Sequence, residues 1–226
     1  MAKRKKEITE TLVNLDQVSG SFTSFYDKNR KIINGVGGGI LVLILGFYVY
    51  KNMYQLPRQK EAVAQMAKAE SLFERDSFDI ALNNPGGGFP GFIEITNKYS
   101  GTPAGNLAHY YAGICLLHSG KPAEAIKHLE SFSASGNTLP TMKYSLLGDA
   151  YSDQNDLEKA LSLYKKAASQ TKNEAVTPYV LMKLGMLSEK MGKTKEAKET
   201  YQKIKDEFGS TSIGINIDKY LYRVSQ

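Results

Sequence analysis

Between Lys143 and Gln170 the hydrophobic positions fall into two helical stripes separated by a polar bend. Tyr144, Leu147, Gly148 and Tyr151 share the first face, and Ala160, Tyr164 and Ala167 share the second. Gly148 and Ala160 carry almost no side chain, so two antiparallel helices can approach there, with Tyr144, Leu147, Tyr151 and Tyr164 filling the space above and below. Asn155 lies at the bend, where a left-handed residue would end the first helix, and Asp156 is placed to cap the second. One such hairpin leaves an apolar face uncovered, which calls for stacked copies. Upstream, Gly113 and Leu116 precede a bend at Gly120, then Pro122 at a first-turn position that needs no N–H, then Ala125 and Leu129. Downstream, Leu181, Leu184 and Gly185 precede Gly192, then Ala197 and Tyr201. The bends at Gly120, Asn155 and Gly192 are 35 and 37 residues apart, and Ala125, Ala160 and Ala197 keep the same offsets.

This spacing resembles the tetratricopeptide motif. The resemblance implies an all-α chain whose repeats stack into a solenoid of about three to four helix pairs, with three hairpins over residues 105–212.

Ahead of the repeats, Ile32 to Tyr50 are 19 uncharged residues bracketed by Lys31 and Lys51. As a helix they would reach about 28 Å, close to the ~30 Å hydrocarbon core of a bilayer. The segment reads as a single N-terminal transmembrane helix, with Tyr48, Tyr50 and Tyr54 at its far end where amphipathic rings favour the interface. A cleaved secretory signal is the rival, but residues 1–31 make too long a lead and no small-x-small site follows. No cysteine lies near enough for a lipoprotein anchor. Residues 1–31 hold seven Lys or Arg against four acidic residues, leaving 22 against 19 of the chain's 29 and 23, so half of the net +6 precedes the span. The positive-inside rule therefore favours a cytoplasmic N-terminus and repeats on the other side. Leu12, Leu15, Val18, Phe22 and Phe25 would form one apolar stripe within this arm, either a helix lying on anionic lipid or a lead-in to the span; Ser19-Gly20-Ser21 weakens any long helix. Gly35 and Gly39 have the spacing that lets two membrane helices touch backbone to backbone.

Residues 51–104 read as a helical linker and a degenerate first repeat. Ala62, Ala64, Ala67 and Ala69 raise helix propensity after Pro57, and Leu72, Phe73 and Ile80 supply an apolar face. The breaker-rich Asn83–Pro90 stretch then reads as a lengthened turn before a short helix near Gly91–Tyr99. In residues 213–226, Ile213, Ile215, Ile217, Tyr220, Leu221 and Val224 predict a last helix capping the third hairpin.

Catalysis finds little support. His109, His118 and His128 have no cysteine or carboxylate at metal-motif spacing, and Cys115, the single cysteine, sits in an apolar helix as a small hydrophobe. Gly37-Gly38-Gly39 and Gly86-Gly87-Gly88 lack the Lys-Ser/Thr of a phosphate loop. Lys and Glu alternate across the repeats, which argues against nucleic acid. The chain is expected to be non-enzymatic and to need no cofactor. What remains is binding by a groove lined by the first helix of each pair: Asn106, Tyr110, Ile114 and Leu117, then Met142, Ser145, Asp149 and Asp153, then Tyr179, Met182, Met186 and Lys190. Met and Tyr suit adaptable contacts; the alternative is that these residues only pack against neighbouring helices. Tyr110 and Ile114 stand where some tetratricopeptide proteins place Asn and Lys to hold a C-terminal carboxylate, so that clamp is absent.

A short basic arm, one signal-anchor helix and about four such units together resemble the YfgM-like ancillary subunits of the bacterial Sec translocon. Ala108-His-Tyr-Tyr-Ala-Gly-Ile-Cys115, Leu147-Gly-Asp-Ala-Tyr151 and Ile217-Asp-Lys-Tyr220 are similar to the version found in Bacteroidota. The resemblance implies a non-enzymatic inner-membrane protein acting with a PpiD-type prolyl isomerase chaperone beside the translocon, meeting nascent secreted chains in the periplasm. The alternatives are a periplasmic envelope-assembly or division scaffold, and a receptor with cytosolic repeats.

Overall fold

The computed structural model describes residues 2–226, with side chains from Thr23 onward. It is all-helical over those residues and divides into two units, 1–57 and 58–226.

The first unit is dominated by α1, Ala2–Val49, which runs through Ser19-Gly20-Ser21 without a break. Intrinsic propensity is a weak term, and good helix formers on both sides outweigh three poor positions. The side chains of Leu12, Leu15, Val18 and Phe22 lie outside those described. From Ile40 to Tyr50 the apolar side chains are uniformly exposed. Gly35 and Gly39 likewise have nothing within 4 Å.

Pro57 does not end the helix. A wide turn, Tyr50–Gln55, carries the chain into α2, Leu56–Phe73, and the Leu56 amide bonds back five residues to the Lys51 carbonyl. Proline lacks an N–H and its ring crowds the carbonyl four residues earlier, so a π-type turn ahead of Pro57 lets helical hydrogen bonding continue. A helix spanning Thr23–Phe73, 51 residues, is long and apolar enough to cross a membrane.

The second unit stacks helices pairwise. The hairpins are α5–α6 (Pro103–His118, Pro122–Ser131), α7–α8 (Leu139–Asp153, Leu157–Ala168) and α9–α10 (Thr177–Lys190, Thr194–Phe208). Gly120, Asn155 and Gly192 have φ of 67°, 61° and 71° at the three bends. After each, the next amide reaches back over the turn: Lys121 to Leu116 O, Asp156 to Tyr151 O and Lys193 to Ser188 O, at 2.8, 2.9 and 2.8 Å. This is the Schellman closure that a left-handed residue permits. Asp156 then caps α8 by accepting from the Lys159 amide.

The same closure recurs upstream, which corrects the expected architecture of the first unit of the stack. Asp76 has φ 55° and the Ser77 amide bonds to Leu72 O at 3.0 Å, so the turn after α2 has ordinary length. The Asn83–Pro90 insertion instead splits the second helix into α3, Phe78–Asn83, and α4, Phe92–Lys98. Both pieces keep their place: Ala81, Leu82, Phe92, Ile95 and Tyr99 are buried in one core with Ala62, Met66, Ala69, Ala108 and Cys115. Ile80, expected on the apolar face, is exposed.

At the far end the cap is shorter than the pattern suggested. A 3-10 turn, Gly214–Asn216, leads to α11, Asp218–Arg223. The Thr211 hydroxyl accepts from the Gly214 amide at 3.1 Å, and a Cβ on Gly214 would collide with the Phe208 carbonyl, so the chain bends tightly over the end of α10. Ile217 and Val224 still bury against α9–α10, whereas Ile215 faces out.

Candidate functional site: the face formed by the first helices

Three glycines set how closely the pairs approach. A Cβ on Gly148 would lie 2.5 Å from the Tyr164 ring and one on Gly113 2.6 Å from Leu129; on Gly185 it would run into the Tyr201 ring. Each second helix thus lays one large side chain flat on a glycine of its partner. The tyrosines are also tied at their hydroxyls. Tyr164 donates to Asp149 Oδ1 at 2.7 Å, and that carboxylate receives Lys183 of the next hairpin at 2.9 and 2.6 Å. Tyr201 donates to Glu189 at 3.1 Å, which receives Arg223 of α11 at 2.7 Å. Burial first, then the facing carboxylate, raises both phenols far above their ordinary pKa, so they stay protonated donors. The Arg223 hydrogen bond holds the Glu189 carboxyl below its usual range.

With the pairs locked, α5, α7 and α9 lie side by side. Between them opens a cavity of about 270 Å³ walled chiefly by Tyr110, Met142, Leu146, Val176, Tyr179 and Val180, with Ser145 and Lys183 at its polar edge. Tyr110 is held in the wall: its ring packs 5.3 Å from Phe132, and burial pushes its phenol up to about 12. Tyr179 is 60% exposed and separates this cavity from a second hollow of about 370 Å³ bounded by Glu174, Pro178 and Ser210–Ile213.

Of the residues expected in the groove, the structure brings Tyr110, Met142, Ser145 and Tyr179 to this cavity and leaves Met186 exposed on α9. Others have internal duties. Asn106 pins the segment after α6, donating to the Ser133 carbonyl at 3.0 Å and accepting from its amide at 2.8 Å. Asp149 is consumed by Tyr164 and Lys183, while Met182 and Leu117 pack against the cores. Ile114 is half-buried, and Asp153 and Lys190 are exposed at the helix ends. Leu146, Val176 and Val180 also line it; first-helix register does not show which side of a first helix tilts toward its neighbour.

Catalytic geometry is lacking around this cavity. No group of three or more His, Cys, Asp or Glu side chains converges among the described residues. Cys115 is fully buried, and burial pushes its thiol up to about 12, which removes its nucleophilic form. His118 stacks on Phe78 at 4.0 Å.

Comparison with known proteins agrees with this geometry. Residues 144–176 match one tetratricopeptide repeat family and residues 179–211 match another. The C-terminal part of the chain carries tetratricopeptide repeats. The two matched repeats are α7–α8 and α9–α10 with their flanking turns; α5–α6 lies outside both matches and keeps the same glycine and bend positions. Two crystal structures of MamA share the fold. One is 18% identical, with a TM-score of 0.50, covering 70% of this chain and 92% of that one. The other is 19% identical, also at 0.50, covering 72% and 89%. No curated protein sequence matches the chain. The repeats make the chain a protein-interaction scaffold.

Proposed function

We propose that this tetratricopeptide protein is a single-pass inner-membrane subunit beside the Sec translocon, acting with a PpiD-type prolyl isomerase chaperone on nascent secreted polypeptides. The N-terminus is cytoplasmic and the repeats are periplasmic. The observation that carries the interaction reading is the apolar cavity under Tyr179, whose wall residues Met142 and Tyr179 are committed to no core contact of their own hairpin. The exposed apolar face of α1 supports the membrane anchor, and the basic excess of residues 1–31 supports its orientation. The translocon assignment draws on the sequence resemblance. Gly35 and Gly39 offer a close-packing face for a partner's membrane helix.

The test is recovery of tagged full-length protein from mild detergent. Translocon subunits or the isomerase are expected to co-purify, and Tyr179→Asp should reduce their yield about tenfold, as expected for charging the centre of a small apolar contact. Recovery of the chain alone in several detergents overturns the proposal. Outer-membrane assembly factors in place of translocon subunits would move the function to an envelope scaffold while keeping the groove.

A further inference from the structure

His109 on α5 and His128 on α6 meet Nδ1 to Nδ1 at 3.1 Å, with ring centroids 5.2 Å apart. The centroid separation is close to the nitrogen separation plus the two ring radii, so the nitrogens point at one another. Such a contact needs a single proton, with one Nδ1–H donating into the lone pair of the other ring. Full protonation of both rings leaves two donors and no acceptor at the contact and places two cations side by side in a half-buried site. No third ligand-type side chain joins them among the described residues.

The pair joins the two helices that hold one wall of the cavity. Tyr110 follows His109 directly and packs on Phe132, the residue that ends α6; one turn earlier, Asn106 fixes Ser133 by two hydrogen bonds. Separation of α6 from α5 therefore pulls Phe132 away from Tyr110.

Of the surrounding charges, Glu124 bears on this contact and the others are engaged elsewhere. Glu124, one turn before His128, favours its cation. Lys143 of α7 is occupied by the Glu130 and Phe132 carbonyls. Glu70 of α2 acts on Tyr111, Asp79 of α3 on Cys115, and Glu94 of α4 on Lys98.

We propose that His109 and His128 form a proton-sensitive clasp, closed by one shared proton and opened when both imidazoles are protonated, which frees α6 and the Tyr110–Phe132 wall of the groove. The effect on docking rests on the groove being the binding site; the opening of the clasp does not. Burial, then the charge of His128, holds His109 below the ordinary histidine range, and burial lowers His128 against the pull of Glu124. An imidazole released from the clasp takes its proton near 6.5, whereas the clasped ones wait for lower pH. The clasp is thus fully stable above about 6.5 and weakens as pH falls through and below that value.

Amide hydrogen exchange on the full chain in detergent micelles, without any partner, tests this at about pH 7.5 and about pH 5, which bracket the histidine range. After correction for intrinsic exchange, α5–α6 protection relative to α9–α10 is expected to fall about tenfold on acidification. In the H109Q/H128Q double variant the ratio should stay constant. An unchanged ratio in the wild type, or a fall that persists in the double variant, overturns the clasp. If the variant does not fold, imidazole nitrogen titration of the wild type decides. Coupled curves for His109 and His128 below the ordinary histidine position are expected, and two independent curves at that position overturn it. Because no partner is present, failure here leaves the docking proposal standing, and failure to capture a partner leaves the clasp standing.

Discussion

The α7–α8 and α9–α10 hairpins follow the same backbone plan as α5–α6, yet the side chains that close them differ. In the first two, a tyrosine ring covers the glycine and its hydroxyl grips a carboxylate that a cation from the next element also holds. In α5–α6 the glycine is covered by Leu129, and the polar contact is an imidazole pair with no reach into α7. One solution ties each repeat to its successor through a phenol, a carboxylate and a cation. The other closes a single hairpin with two imidazoles. Regular solenoid geometry therefore does not imply uniform response: under the clasp proposal, the N-terminal wall of the groove is the part that responds to pH.

The glycine contacts give the strongest way to break the comparison. Gly148→Ala and Gly185→Ala each force a tethered ring to move and are expected to cost about 2 kcal/mol, net of the ~1 kcal/mol that alanine gains in a helix. Gly113→Ala meets the branched end of an untethered leucine, and its net cost should stay within about 1 kcal/mol. Thermal unfolding of full-length variants in one detergent checks the ranking, and equal losses at all three sites would show that the hydroxyl tether is immaterial. Next comes Asp149→Ala. It strands Lys183 and the Tyr164 hydroxyl, and for a pair half in solvent the loss should be about 1–2 kcal/mol, with Tyr164→Phe costing less. Smaller again, acidification from about pH 7.5 to about pH 5 should lower wild-type stability through the histidine pair. The sign follows from folded pKa values lying below unfolded ones, so the unfolded chain binds more protons as pH falls. At the bottom of the scale, Lys172→Ala removes a solvent-exposed ion pair with Glu207 at 3.0 Å and should not shift the midpoint measurably.

Much of this was legible in the chain because small residues and bends recur at fixed offsets. Gly113, Gly148 and Gly185, with Gly120, Asn155 and Gly192, carry both the close approach and the reversal, and each has a steric reason that periodicity exposes. Less legible was the first unit of the stack. Asp76-Ser77-Phe78 has the same form as Asn155-Asp156-Leu157, but an aspartate in the left-handed region is a weaker signal than a glycine, and the glycine run at 86–88 drew the turn to the wrong place. The groove was only half readable. First-helix register marks Tyr110, Met142 and Tyr179, yet whether a polar residue faces solvent or a neighbour depends on what the next hairpin supplies. Lys183 claims Asp149, and Ser133 claims Asn106. The histidine pair had no signature at all, since positions 109 and 128 meet only through the antiparallel docking of α5 on α6.

The central claim is that the face formed by α5, α7 and α9 is where a partner docks. Site-specific photocrosslinking in living cells tests it most directly, with probes at Tyr179 and Met142 on the cavity, at Met182 on the core side of α9 and at Lys198 on the opposite helix α10. Adducts with translocon or isomerase subunits are expected from Tyr179 and Met142, and not from Met182 or Lys198. Adducts concentrated at Lys198, with none from the cavity positions, would contradict the claim and place docking on the second helices instead.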